Sequence, residues 1–304
     1  MELPASIDVR EVGPRDGLQS EAPLPVEERI RLVDALSGIG LARIEAGSFV
    51  SPRAVPAMAD SARVFAGIQR RPGVTYSALV PNERGAADAL AAGADRLQVV
   101  VAASESYNAS NVNRTVAQTL DEIAAVVRLA GGTPVDATIS TAWGCPYEGE
   151  VRVERVVELA RTLLGLGCQA ISLGDTTGMA TPTRVEALLD ALRPLTGAIN
   201  CHFHDTRGTG LANLLAAMQA GCTDFDTAVG GLGGSPTAPG AGGNLATEDA
   251  VHMVEDMGVQ TGIDLERLLA AARLAGELLG RPLRGQVLVA GPARPHRGDQ
   301  EVAG

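Results

Sequence analysis

Short apolar runs alternate along the chain with longer stretches whose apolar positions fall three and four apart. The short runs predict strands at 7–13, 42–49, 74–80, 96–103, 134–141, 170–174, 199–204 and 224–230. The longer stretches predict helices at 26–38, 55–69, 84–92, 115–130, 151–166, 182–193, 210–221 and 246–258, with one more at 263–280. Gly93, Gly167, Gly221 and Gly258 stand where helices end. A strand–helix unit about every 30 residues, repeated eight times, predicts a closed (β/α)8 TIM barrel with an extra C-terminal helix. Strict alternation also suits an open doubly wound α/β sheet. The even spacing and the lack of a Gly-x-Gly-x-x-Gly fingerprint after the first strand favour the barrel. No linker divides the chain, so residues 1–280 form one domain. Residues 281–304, rich in Pro, Gly and Arg, are expected to be a flexible tail.

In such a barrel, chemistry gathers at the C-terminal ends of the strands. The unusual polar residues fall there: Arg15, Asp16 and Gln19 after the first strand, Glu45 on the second, Asp175 after the sixth, His202 and His204 on the seventh. The Gly-rich stretch 230–243 and Asn244 follow the eighth. His202 and His204 are two positions apart on a predicted strand, so both rings point to one face. They are either a hydrogen-bonded core pair or two ligands of one ion. Joined by the Asp16 carboxylate and the Asn244 carbonyl, they suit a divalent metal with open positions for substrate oxygens. Nitrogen and oxygen donors without a Cys ligand favour Mg²⁺ or Mn²⁺, with Zn²⁺ or Co²⁺ second. Arg15 can pair with Glu45, or aim its guanidinium at developing negative oxygen charge, or do both. Asp175 either supports the metal site or caps the next helix at Thr181. The stretch 230–243 is either a surface loop or a lid over substrate.

Composition narrows the partners. A net charge of −11 argues against nucleic acid and against an anionic membrane surface. No apolar run approaches the ~18 residues of a membrane span. Cys145, Cys168, Cys201 and Cys222 form no Cys-x-x-Cys pair and are expected as reduced thiols in a cytoplasmic protein. Aromatic residues make up only 3%, so the core must be built from Ala, Val, Leu and Ile. A homo-oligomer, a dimer or larger, is expected.

Seven segments in order, EVGPRDGLQSE (11–21), IEAGSFVSPRAVPAMAD (44–60), VPNERG (80–85), WGCPYEG (143–149), ISLGDTTGMATP (171–182), HFHDTRGTGLAN (202–213) and GLGGSPTAPGAGGNLATED (231–249), carry a resemblance. Together they resemble the 3-hydroxy-3-methylglutaryl-CoA lyase family of metal-dependent barrel enzymes, from about residue 7 to residue 280. The resemblance implies a small-molecule acyl-CoA substrate and retro-Claisen cleavage of 3-hydroxy-3-methylglutaryl-CoA to acetyl-CoA and acetoacetate. It implies Asp16, His202, His204 and Asn244 as the metal site, Arg15 as the enolate stabiliser and Glu45 near the site. The family carries a lid Cys before Pro-Tyr, whereas this chain has Ser235-Pro-Thr237. Ser235 in the catalytic acid's position is a poorer acid than a thiol of pKa near 8.5. That exchange opens the alternatives of a lyase for a related branched 3-hydroxyacyl-CoA, a related aldolase or Claisen synthase, and a binding protein that has lost the acid. Synthases of this kind usually carry an added C-terminal domain, for which too little chain remains. Arg53, Arg207 and the Gly-rich stretch are the neighbours proposed for the CoA phosphates.

Overall fold

The computed structural model describes residues 2–234 and 242–293. Eight parallel strands close into a barrel. In chain order they are β1 (Asp8–Glu11), β2 (Arg43–Ser48), β3 (Thr75–Leu79), β4 (Arg96–Ala102), β5 (Val135–Ser140), β8 (Ile171–Gly174), β9 (Ile199–His202) and β10 (Asp224–Thr227). The numbers β6 (Gly144–Cys145) and β7 (Gly149–Glu150) belong to a small antiparallel hairpin outside the barrel. β1 closes the ring by pairing with both β2 and β10.

Period-two alternation sorts the side chains. Ile44, Tyr76, Leu97, Val99, Ala137, Ile139, Leu173, Cys201 and Phe225 belong to the continuous apolar core. The alternate positions carry polar groups. Arg10 on β1 donates to Gln98 on β4 at 2.8 Å, strands that are not neighbours, so this bond crosses the barrel interior. Gln98 in turn donates to Thr138 on β5. Arg43–Asp224 and Arg96–Asp136 add ion pairs between strands. The barrel interior is therefore filled by paired polar groups, and burying such groups is tolerable because each has a partner.

The described helices are α1 (Val26–Ser37), α2 (Ser61–Gly67), α3 (Glu83–Ala91), α4 (Glu105–Val112), α5 (Val116–Ala130), α6 (Val153–Leu166), α7 (Pro182–Leu192), α8 (Gly210–Gln219), α9 (Thr247–Asp256), α10 (Leu265–Leu279) and α11 (Gln286–Ala290); all but α4 and α11 follow the predicted order. α6 ends where Gly167 turns left-handed at φ 104°, a conformation an L side chain resists. Among the described residues no helix is long and apolar enough to cross a membrane.

Several elements differ from the sequence reading. The helix expected over 55–69 is broken: Pro56–Met58 forms one 3-10 turn and α2 starts at Ser61, because Ala59 is extended and Asp60 is left-handed at φ 57°. The seventh strand stops at His202, and His204 lies beyond it in an isolated bridge to Asn244. The eighth stops at Thr227, and Val229–Gly231 is a 3-10 turn with Gly230 at φ 67°. α4 and the hairpin had no signal strong enough to predict. Part of the stretch expected as tail packs on the barrel: Leu283 is buried, and the amides of Gln286 and Val287 at the start of α11 donate to the Asp249 carboxylate.

Candidate active site

β1 leads into the first functional turn. The Val12 carbonyl accepts from the amides of Arg15, Asp16 and Gly17, at 3.1, 2.7 and 3.2 Å. This makes Gly13–Gly17 a single π-helical turn, a form often found at functional sites. It stands at the C-terminal mouth of the barrel and presents Arg15 and Asp16 side by side. The Arg15 guanidinium donates to Glu45 on β2 (Nε to Oε2, 2.7 Å) and to Asp16 (2.7 Å). Glu45 is fully buried and Arg15 is not, so Glu45 holds the guanidinium and Arg15 faces the cavity. Both readings of Arg15 are thus compatible.

His202, His204 and Asp16 converge. The two Nε2 atoms lie 3.2 Å apart, and His202 Nε2 is 3.9 Å from Asp16 Oδ2. The partners of the other ring nitrogens decide the tautomers. His202 Nδ1 sits 3.1 Å from Asp226 Oδ2, and His204 Nδ1 sits 3.1 Å from the Gly242 carbonyl. A carboxylate and a carbonyl only accept, so both Nδ1 atoms donate. In the neutral rings both Nε2 lone pairs then point at each other, an arrangement that requires a cation or a proton between them.

Asn244 completes the group. Its Nδ2 donates to Asp16 Oδ2 at 2.8 Å and to the Leu232 carbonyl at 2.9 Å. With both amide protons committed, Oδ1 is buried and accepts from no described residue. An orphaned carbonyl on an amide bonded to Asp16, whose carboxylate converges with the two imidazoles, fits a divalent ion. Buried apolar surroundings alone would lift the Asp16 carboxyl. Arg15, His202 and His204 outweigh that and hold it below the usual carboxylate range. Burial, then the His202 charge, pushes His204 down to about 4. His204 is therefore neutral near pH 7, the form that offers a lone pair to a metal.

Three groups support these residues; Asp226 and Glu11 escaped the sequence reading, whereas Gln19 was placed with the first turn. Asp226 receives Arg10 through two bonds, of 2.8 and 2.7 Å, as well as the His202 proton. Burial would raise its pKa, but Arg10 and His202 hold it well below the usual range. Asp226 and Arg10 sit on the inward-facing phase of their strands, which is the signal that could have found them. Gln19 donates to Asp16 Oδ1 at 2.8 Å. The Glu11 carboxylate accepts from the amides of Gly13 and Val229 and from the Thr247 hydroxyl, at 2.7, 2.9 and 2.6 Å. It ties the start of the Arg15–Asp16 turn to the end of the barrel's last strand.

Other expectations fare differently. Asp175 does not cap a helix at Thr181; its Oδ1 accepts from the amides of Met179 and Ala180, closing the turn before α7. Arg207 is spent on the carbonyls of Thr177 and Gly178. Arg53 is exposed, and neither arginine lines the cavity. Ser235, Thr237 and half of the Gly-rich stretch, residues 235–241, lie outside the described residues.

A cavity of about 520 Å³ opens above the His pair. Thr138, Ser140 and Thr176 give it polar lining, and Val50, Val55 and Leu79 give it an apolar wall. Asn111, Asn113 and Arg114, in and after α4, also line it.

Comparison with known proteins agrees with this geometry. The family model HMGL-like matches residues 6–275. Hydroxymethylglutaryl-CoA lyase YngG of Bacillus subtilis (strain 168) is 46% identical over 288 residues, covering 93% of this chain and 96% of that protein. The mitochondrial hydroxymethylglutaryl-CoA lyase of Mus musculus is 44% identical, covering 94% and 89%. The solved structure of an HMG-CoA lyase from Acenitobacter baumannii in complex with coenzyme A and 3-methylmalate superposes with a TM-score of 0.93 at 42% identity, covering 96% of this chain and 98% of that one.

Proposed function

The chain belongs to the HMGL-like family, and from that premise we propose that it is a carbon–carbon lyase cleaving 3-hydroxy-3-methylglutaryl-CoA to acetyl-CoA and acetoacetate. The observation that carries this reading is the convergence of two imidazole lone pairs, the Asp16 carboxylate and the unpartnered Asn244 carbonyl beside a fixed guanidinium.

Cleavage breaks the C2–C3 bond. The C3 hydroxyl loses its proton, C3 becomes a ketone, and the bonding pair moves into the thioester as an enolate. A proton added at C2 then gives acetyl-CoA, so one proton leaves and one returns. Asp16, His202, His204 and Asn244 would hold a divalent metal, Mg²⁺ or Mn²⁺. When bound, it supplies positive charge that lowers the hydroxyl pKa and polarises the forming carbonyl. Arg15 directs its guanidinium at the enolate oxygen, where a pre-oriented cation stabilises charge as it develops. Glu45 and Asp16 fix that guanidinium, so little reorganisation is needed at the moment of reaction. Asp16 takes the hydroxyl proton, since ligated imidazoles have no free lone pair and a carboxylate keeps several. Ser235 relays the returning proton in the position of the family's lid Cys. The cavity's apolar wall suits the acyl and pantetheine parts of the substrate.

The test is acetyl-CoA release from 3-hydroxy-3-methylglutaryl-CoA with Mg²⁺ or Mn²⁺, with an EDTA control. EDTA-sensitive release establishes the activity. Release of a different keto acid from a related branched 3-hydroxyacyl-CoA, with none from this substrate, would assign the alternative pocket specificity. Full activity of His204→Ala in metal-stripped buffer would refute the metal reading.

A further inference from the structure

The family match ends at residue 275, yet the chain beyond it returns to the mouth of the barrel. The Arg284 amide donates to the Gly230 carbonyl at 3.1 Å. The Gly230 amide donates to Glu248 Oε2 at 3.0 Å. Leu283 is 6% exposed and presses on Gly230 so closely that a methyl group built there would come within 2.2 Å of its Cδ1. Two bonds and one side chain thus pin Gly230 in its left-handed conformation. Arg281 forms an ion pair with Glu21, which follows the Arg15–Asp16 turn.

Gly230 lies two residues before Leu232, and Leu232 touches the site twice. Its side chain packs on Gly17, where a methyl group would meet Leu232 Cβ at 2.9 Å. Its carbonyl receives one of the two Asn244 amide protons. That bond, with the one to Asp16, decides which way the amide faces. If the carbonyl moves, the amide can turn about its bond to Asp16, and Oδ1 turns with it.

We propose that Leu283 is a positioning residue: the segment 281–287 straps the Val229–Gly231 turn, and through the Leu232 carbonyl it orients Asn244 Oδ1 for metal binding. This inference rests on the metal reading above. The strap acts on geometry at the ligands, so its loss weakens metal binding more than it weakens substrate binding.

The experiment is direct titration of the full-length protein with Mn²⁺, read calorimetrically and without substrate, together with KM and kcat at saturating Mn²⁺. Leu283→Ala should weaken Mn²⁺ binding by ~10-fold or more, the scale at which losing an outer-shell partner acts. Its KM should stay within about threefold, as uniform substrate binding is untouched. Leu283→Met conserves volume and should restore Mn²⁺ affinity to within about threefold of the parent. Leu163→Ala is the control, a buried truncation in α6 on the side of the barrel formed by β5 and β8. It should lower thermal stability without changing Mn²⁺ affinity. If the alanine variant does not fold, Leu283→Val carries the same comparison with a smaller truncation. Unchanged Mn²⁺ affinity in a folded Leu283 variant, or equal weakening in Leu163→Ala, overturns the proposal. A parent protein that binds no Mn²⁺ overturns the metal reading, and this inference with it.

Discussion

Replacing Asp226 by Asn changes one oxygen into an amide while keeping the shape of the side chain. Asp226 has three incoming donors, the Nε and Nη2 of Arg10 and the Nδ1 of His202. An Asn offers one accepting atom and adds two donors, so at least one of these partners loses its acceptor. Where the new amide faces His202, the ring must accept at Nδ1 and carry its proton on Nε2. The lone pair that faces His204 is then gone. Losing the outer-shell partner of a metal-binding histidine typically costs 10–100-fold in metal affinity, which is about 1.4–2.7 kcal/mol. The second effect falls on Arg10, whose side chain is 4% exposed and whose only carboxylate partner within bonding distance among the described residues is Asp226. Removing one partner of a buried ion pair costs ~3–5 kcal/mol, and the remaining Asn oxygen places this change near ~3 kcal/mol. For 304 residues, with an unfolding entropy of about 2.1 cal/mol/K per residue, that lowers Tm by roughly 5 °C. Mn²⁺ titration and a thermal melt measure the two effects separately. A variant with unchanged Mn²⁺ affinity would refute the tautomer argument, even if its Tm fell as expected.

Arg15→Lys should lower kcat by ~10²-fold with KM within about threefold, because an ammonium cannot span Glu45 and Asp16 while facing the cavity; steady-state acetyl-CoA release checks it. Burial pushes the Glu248 carboxyl from its ordinary 4.5 up to about 7. Between those values the native state keeps a proton that the unfolded state has lost, so stability falls as pH rises through that window. Glu248→Gln removes this contribution, and its Tm should fall less than the parent's between about pH 5 and about pH 8; an unchanged slope would show that the group is not buried as described. Ser235→Cys should raise turnover of 3-hydroxy-3-methylglutaryl-CoA by ~10²-fold or more if proton return limits the rate; no change would place the acid elsewhere.

Sequence pattern alone was enough for the barrel, because each strand–helix unit announces itself locally: a short apolar run, a longer one with helical spacing, and often a glycine at the turn. It also brought Asp16, His202 and His204 into one group, as the structure does, since polar side chains at the ends of parallel strands must share one mouth. His202 and His204 were legible together because two residues along an extended chain share a face, and this held although the strand itself stops at His202. Where bonds join distant parts of the chain, local pattern is silent. Asp226 lies 216 residues from Arg10, and Glu11 lies 218 from Val229. Whether such residues meet is decided by barrel closure and register, which bring β10 beside β1. The tail shows the same limit. Pro, Gly and Arg in the composition of 281–293 suggest loop, but Leu283 finds a place against Gly230 that exists only once the barrel has closed. The sequence by itself determined the elements and the donors; the tertiary structure decided which donor faces which. Tautomers, orphaned oxygens and held guanidiniums depend on distances of a few ångströms between residues far apart in the chain.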